Sequence, residues 1–322
     1  MVSRLRILAA LLVAVAVAAA GCGRDDEGTS DSAGAASGEQ LAGSIKVDGS
    51  STVAPLSTAV AERFAETQPG VRVSVGTSGT GGGFERFCRD ETDISDASRP
   101  IEDDEAPVCR ENGIDYTEFQ VAVDALTIVV NAENDWIDCI TTDQLKAIWK
   151  PGSEIDNWQD VPGGDYPDVP LKLAGPGTDS GTFDYFTNEI NGEEGASRTD
   201  YTPSEDDNVI VRAVEGERGA MGYFGFSYFE QNQDNLKALA VDSGEGCVEP
   251  RADTAQAGEY TPLSRPLFIY VKNTSLAKRP VREFVRFYLE NAVEAAETAQ
   301  LIALHDDQLA KQRAKFDKVT AA

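Results

Sequence analysis

An α/β fold with parallel βαβ units is predicted for this 322-residue chain by three observations. Strand-like and helix-like segments alternate between residues 44 and 97, the pattern of strands joined by crossover helices. Three strand–helix junctions, at residues 48–55, 76–83 and 175–183, are built from Gly, Ser and Thr. The length suits two domains of ordinary size, and 41% apolar residues are compatible with a packed core.

Taken in order, residues 44–47 form a strand, and 56–66 form an amphipathic helix after the turn Asp48-Gly49-Ser50-Ser51-Thr52-Val53-Ala54-Pro55. The alternating strand 71–75 leads through Gly76-Thr77-Ser78-Gly79-Thr80-Gly81-Gly82-Gly83 into a helix at 84–89 and a strand at 94–97. Apolar runs at 118–123 and 126–131 are separated by Asp124-Ala125 and suit a crossing between two lobes. A helix follows at 141–149, capped by Thr141 or Thr142, and then a Pro/Gly-marked loop at 151–168. The apolar run 169–174 enters Gly175-Pro176-Gly177-Thr178-Asp179-Ser180-Gly181-Thr182-Phe183, which opens a helix reaching 190 with Asp179 or Ser180 as its N-cap. Beyond it come a helix at 207–215, a strand at 220–224, a short helix at 226–231 and a strand at 236–241. A loop at 242–262, a strand at 266–271 and helices at 281–298 and 306–319 complete the chain.

Residues 1–21 read as a secretory leader: Arg4 and Arg6, an apolar run at 7–20, then Ala19-Ala20-Gly21 before Cys22. Small residues before a cysteine resemble a bacterial lipobox, so cleavage and lipidation at Cys22 are expected. Residues 22–43 are then a Gly/Ala/Ser/acid-rich tether, and an extracytoplasmic, membrane-anchored protein follows. Four further cysteines outside the cytoplasm imply two disulfides. Three pairings are possible, and Cys88–Cys109 with Cys139–Cys247 is preferred, one closing a local loop and the other a long one. No CxxC pair exists and His305 is the one histidine, so no metal site is expected. The tryptophans Trp136, Trp149 and Trp158 read as packing residues.

The net charge is −27, and losing Arg4 and Arg6 with the leader makes it −29. That excludes nucleic-acid binding through phosphate neutralisation. It does not exclude a small anion. The surface field is screened within about 10 Å, whereas N–H and O–H donors in a dry cleft act at contact, each worth roughly 1.5–3 kcal/mol to a charged partner. A glycine-rich turn opening a helix offers such donors. Three of them in one chain point to a shared anion. A serine hydrolase using Ser180 or Ser51 is the competing reading. It lacks a base near either serine, a Gly-x-Ser-x-Gly elbow, and a Ser-x-x-Lys at any of the three turns. No Gly-Lys-Ser/Thr follows residues 79–83, so a nucleotide P-loop is not supported.

Asp48-Gly49-Ser50-Ser51-Thr52, Thr77-Ser78-Gly79-Thr80-Gly81, Asp93-Ile94-Ser95-Asp96-Ala97-Ser98-Arg99-Pro100 and Asp179-Ser180-Gly181-Thr182 occur in the order of motifs in a known family. From about residue 44 onward the chain resembles the phosphate-binding protein of the bacterial ABC-type phosphate importer. Gly222-Tyr223-Phe224-Gly225-Phe226 and the strand at 266–271 share the likeness. The resemblance implies a two-lobed periplasmic-binding-protein fold of type II, hinged between lobes at 44–123 plus 263–322 and at 124–262. It also implies a monomer without enzymatic activity or cofactor, whose partners are inorganic phosphate and a membrane permease. The implied ligands are Ser51, Thr52 and the Val53 N–H; Ser78 and Thr80; Ser98; and Ser180, the Gly181 N–H and Thr182. Two positions depart from the family pattern: Pro176 stands where an arginine is usual, and Ser98 where an aspartate is usual. Arg99 is the expected cationic partner, and Asp179 and Asp96 are candidates to accept the proton of hydrogen phosphate. Sulfate, molybdate or a phosphonate remain as alternative ligands.

Overall fold

A computed structural model describes residues 41–321. The expected leader, Cys22 and the tether as far as residue 40 lie outside the described residues. The first half of the chain runs β1 (Gly43–Gly49), α1 (Ala54–Thr67), β2 (Val71–Val75), α2 (Gly79–Cys88), β3 (Ile94–Ala97), α3 (Glu105–Glu111), β4 (Tyr116–Asn131), β5 (Cys139–Thr141), α4 (Thr142–Trp149), β6 (Lys172–Gly175) and α5 (Gly181–Phe186). The second half runs β7 (Thr202–Pro203), α6 (Asp207–Glu215), β8 (Ala220–Gly225), α7 (Phe226–Glu230), β9 (Leu236–Ala238), β10 (Ala240–Asp242), β11 (Cys247–Val248), α8 (Ala252–Gln256), β12 (Ser264–Lys272), α9 (Asn273–Leu276), α10 (Arg279–Glu290), α11 (Ala292–Thr298) and α12 (Asp306–Thr320).

The main sheet has the order β2-β1-β3-β12-β4-β8-β6-β7, with β9 also on β4. β1 is parallel to β2 and β3, as the βαβ alternation requires. β12 runs antiparallel to both β3 and β4, so the sheet is mixed. β4 changes partner midway: Tyr116 to Ala125 pair with β12, and Leu126 to Val130 pair with β8. The break expected at Asp124-Ala125 is therefore one continuous strand, because the Asp124 carboxylate finds a partner in Arg265 across the ladder.

Two large cores lie along this sheet. One gathers Ile45, Val60, Phe64, Ile94, Ile269, Phe284 and Tyr288. The other gathers Ile128, Trp149, Trp158, Phe186, Met221, Tyr223 and Leu239. Trp149 and Trp158 are fully buried and Trp136 packs edge-on to Trp158, so the indoles are packing residues as expected. Both expected disulfides are present.

Several expectations shift. Leu41 is buried in the first core and the Gly43 N–H donates to Gly70 O at 3.1 Å, so the folded region starts before residue 44. α2 begins at Gly79 rather than residue 84, held by contacts described below. The single strand expected at 236–241 is two, β9 on β4 and β10 between β5 and β11. The loop expected at 242–262 contains β11 and α8, and the helix expected at 281–298 is broken at Asn291 into α10 and α11.

Asp96 is fully buried beneath α1, accepting from Ser57 Oγ at 2.9 Å, and Ser57 also meets Tyr288 Oη at 3.0 Å. Its Oδ2 has no partner among the described residues. Burial pushes this carboxyl up to about 8, the Ser57 bond opposing and the Asp48 charge adding to the rise. A raised acid pKa means the folded chain holds a proton that the unfolded chain releases near its ordinary value. This stability is present below about pH 4 and is lost as pH rises through about 8. Asp96→Asn is expected to gain as much as about 3 kcal/mol on the wild type between pH 5.5 and 8, read from urea unfolding at both values. A constant offset would show that Asp96 does not titrate in this range.

Candidate functional site

The first turn leaves β1 at Gly49, whose φ of 143° and close approach admit no side chain: an added Cβ would lie 2.1 Å from Asp96 O. Ser50 N donates to Asp96 O at 2.9 Å, and Ser50 O accepts from Ala54 N at 3.0 Å to start α1. The Ser50 hydroxyl accepts from Thr52 N at 3.2 Å. Thr52 and Ser51 side chains are thereby set at the N-terminus of α1, whose positive dipole end favours an anion.

Asp48, at the end of β1, organises the second turn. Its Oδ1 accepts from Ser78 N at 3.0 Å and Ser78 Oγ at 2.9 Å, and its Oδ2 binds Arg86. Burial alone would raise this carboxyl, but the bonds from Arg86 and Ser78 outweigh it and hold it below the ordinary range. These bonds let α2 start within a glycine run that helix propensity alone disfavours. They also commit the Ser78 hydroxyl proton to Asp48. Thr80 lies two residues further and meets Ser98 Oγ at 3.0 Å, while Ser98 N donates to Thr80 Oγ1 at 3.2 Å. The second turn and the end of β3 are thus tied together.

The third glycine-rich turn follows β6. Ser180, not Asp179, is the N-cap of α5, its oxygen accepting from Thr182 N at 3.2 Å. The chain reverses so closely that a Cβ on Gly181 would lie 3.3 Å from both Ser51 Oγ and Thr52 Oγ1. Two turns separated by about 130 residues of sequence therefore meet face to face.

A cleft of about 680 Å³ results, lined among others by Ser51, Thr52, Ser78, Thr80, Ser98, Arg99, Gly181 and Arg265. An adjoining cavity of about 220 Å³ shares Ser51, Thr52 and Gly181 and adds Thr182, Asp124 and Asp207. Of the expected set, Val53 is buried at the start of α1, and Ser180 is half-buried in its capping role outside both walls. Asp179 is exposed and lines neither space. Asp96, on β3, is buried beneath α1 and outside both walls. The aspartates that do line these spaces are Asp124, Asp184 and Asp207, beside Glu102, Glu189 and Glu194. Burial, with the charges of Asp206 and Glu205, pushes Asp207 up to about 6. Burial and Glu194 also raise Asp184.

Arg99 reaches the cleft wall already engaged. Glu105 accepts from Nη1 and Nη2 at 2.8 Å each, and Glu102 sits 3.1 Å from Nε. Arg265 is the cation that motif reading missed. Its Nη2 donates to Thr52 Oγ1 at 3.0 Å, its Nε to Asp124 Oδ2 at 3.1 Å, and its guanidinium lies 3.7 Å over the Tyr185 ring. Nothing local marks it; only the register of β12 against β4 brings it here.

His305, the one base a serine nucleophile could have used, is exposed at the start of α12 and lines neither space. Among the described residues no group of three or more His, Cys, Asp or Glu could hold a metal ion. None of the described helices is long and apolar enough to cross a membrane.

Comparison with known proteins places the chain in a family. The family model of the PBP superfamily domain matches residues 34–292. The chain is 45% identical over 282 residues to Protein SphX of Synechocystis sp., covering 87% of this chain and 84% of that one. It is 41% identical over 280 residues to the Phosphate-binding protein PstS of Staphylococcus saprophyticus, covering 86% and 85%. The crystal structure of a possible phosphate binding protein from Planctomyces limnophilus matches with a TM-score of 0.82 at 45% identity, over 87% of this chain and 99% of that one. The architecture is the two-lobed, hinged type II periplasmic-binding-protein fold. The chain belongs to the PBP superfamily and, within it, to the PstS-like phosphate-binding proteins, which are binding proteins rather than enzymes.

Proposed function

We propose that this chain is an extracytoplasmic receptor that captures inorganic phosphate between its lobes and delivers it to an ABC-type permease. The observation that carries the reading is the convergence of Thr52, the Thr80–Ser98 pair and Gly181 on one cleft. The Gly181 N–H at the start of α5 supplies a backbone donor, and the threonine and serine hydroxyls supply the rest. Residues 44–123 with 263–322 form one lobe and 124–262 the other, with β4 and β12 as the strands that cross. The protein is held at the membrane through a lipid on Cys22 and acts as a monomer. Its relatives named for phosphate binding support the choice of ligand.

Discrimination against sulfate falls to a carboxylate facing the anion, because sulfate has no proton to offer at neutral pH and is repelled. Asp207 takes this role in place of Asp179 and Asp96, since it borders Thr52, Gly181 and Thr182. Calorimetric titration of phosphate-stripped protein is expected to give saturable heat with phosphate and none with sulfate. Asp207→Asn is expected to admit sulfate as a competitor. Absence of phosphate binding by the wild type would refute the receptor reading. An Asp207→Asn protein that still excludes sulfate would clear Asp207 of the role.

A further inference from the structure

The cleft wall holds two cationic side chains, Arg99 and Arg265, and four acidic ones within the same lining: Glu102, Asp184, Glu189 and Glu194. An anion entering such a space needs a guanidinium with donors left to give. Arg99 has few to spare. Both Nη1 hydrogens are taken, by Glu105 and by Pro100 O at 3.1 Å, Nη2 donates to Glu105 as well, and Nε is paired with Glu102, which leaves one N–H of Nη2. Arg265 differs on each count. One carboxylate oxygen, Asp124 Oδ2, takes its Nε and lies 3.1 Å from its Nη2. Its Nη1 has no hydrogen-bond partner among the described residues. The side chain is 17% exposed, against 34% for Arg99, so its charge acts through less water.

Its mounting is also the better one. The backbone of Arg265 is paired with Asp124 between the two central strands, β12 and β4. The planar head is held from one side by the Tyr185 ring, and Tyr185 is itself fixed by its hydroxyl donating to Pro262 O at 2.7 Å. Tyr185 stands on α5, the helix that Gly181 opens, and Thr52 stands on the opposing turn. The guanidinium therefore touches both walls of the cleft.

We propose that Arg265, not Arg99, is the cationic ligand of the bound oxyanion, presenting its free N–H edge beside the Thr52 hydroxyl. This rests on the phosphate-receptor reading above. It places the positive charge on the strand pair at the hinge, in compensation for Pro176 on the glycine-rich turn.

The test is calorimetric titration of the full, phosphate-stripped chain with inorganic phosphate, comparing wild type, Arg265→Gln, Arg265→Lys and Arg99→Gln. Melting of each ligand-free variant reports whether the fold is kept. Arg265→Gln is expected to bind about 100-fold more weakly, as two charge-assisted bonds are lost. Arg265→Lys is expected to recover part of that loss, because it keeps the charge without the fork, and Arg99→Gln to stay within about threefold. A folded Arg265→Gln within about threefold of wild type would overturn the assignment. So would equal loss in the Gln and Lys variants, which would mark a role in shape rather than charge. If Arg265→Gln does not fold, an approximately 100-fold loss in Arg99→Gln would still overturn it. Wild type that gives no heat with phosphate contradicts the receptor reading itself, a result distinct from all of these.

Discussion

Removing the Cys139–Cys247 bridge is expected to cost about 4–5 kcal/mol of folding stability, the largest single effect on the fold. The bridge closes a loop spanning 108 residues of sequence. In the chain-entropy picture a loop of that size restricts the unfolded ensemble far more than a short one. Its sulfurs join β5 to β11 across β10 in a small separate sheet, and Cys247 is exposed and Cys139 half-exposed. Little packing is lost when serine replaces them, so the measurement isolates the cross-link. For a folded region of this size the melting temperature should fall by about 7–9 °C. Scanning calorimetry of the Cys139→Ser/Cys247→Ser protein reads it, and a drop of only a degree or two would mean the bridge does not restrain the unfolded chain.

The second large effect is on binding and leaves the fold nearly untouched. Gly181→Val is expected to weaken phosphate binding by about 100-fold or more while shifting stability by less than about 1 kcal/mol. Gly181 sits in the first turn of α5 and is not among the residues with positive φ, so the backbone accepts a side chain there. The obstacle is across the cleft. Even a methyl would stand 3.3 Å from Ser51 Oγ and Thr52 Oγ1, and the branches of valine would take the space the anion needs. Calorimetric affinity and urea unfolding of the same preparation separate the two effects. Wild-type affinity in Gly181→Val would remove Gly181 from the site. A collapse of stability would mean that the glycine serves the fold.

Much of this architecture was legible because local signals agreed with tertiary structure. The βαβ start was readable from alternation at 71–75 and from Pro55 at the head of α1. α4 was readable from Thr141, which caps it with Gln144 in a reciprocal box. The failures share a cause, in that distant contacts overrode local preference. α2 starts in a glycine run because Asp48, about 30 residues earlier, binds Ser78 and Arg86. α3 was missed because Pro107 obscures its helical pattern, while the Cys88–Cys109 bridge ties it to α2. β4 runs through Asp124 because Arg265 neutralises it from 141 positions away.

The site divides in the same way. Thr52, Thr80, Ser98 and Gly181 were read from turn chemistry written in neighbouring residues, and they line one cleft. Arg99 was chosen by adjacency to that motif, with no sign that Glu105 and Glu102 would engage it. Arg265 and Asp207 carry no motif at all. Arg265 reaches the cleft through strand register and Asp207 the adjoining cavity through helix placement, which residue spacing does not encode.

The measurement that bears most directly on the convergence of these turns is a crystal structure of the phosphate-loaded protein. A tetrahedral anion is expected within hydrogen-bonding distance of the Thr52 hydroxyl, the Thr80–Ser98 pair and the Gly181 N–H, touched from both lobes. An anion bound elsewhere on the chain, with Thr52, Ser98 and Gly181 left uncontacted at saturating phosphate, would contradict it.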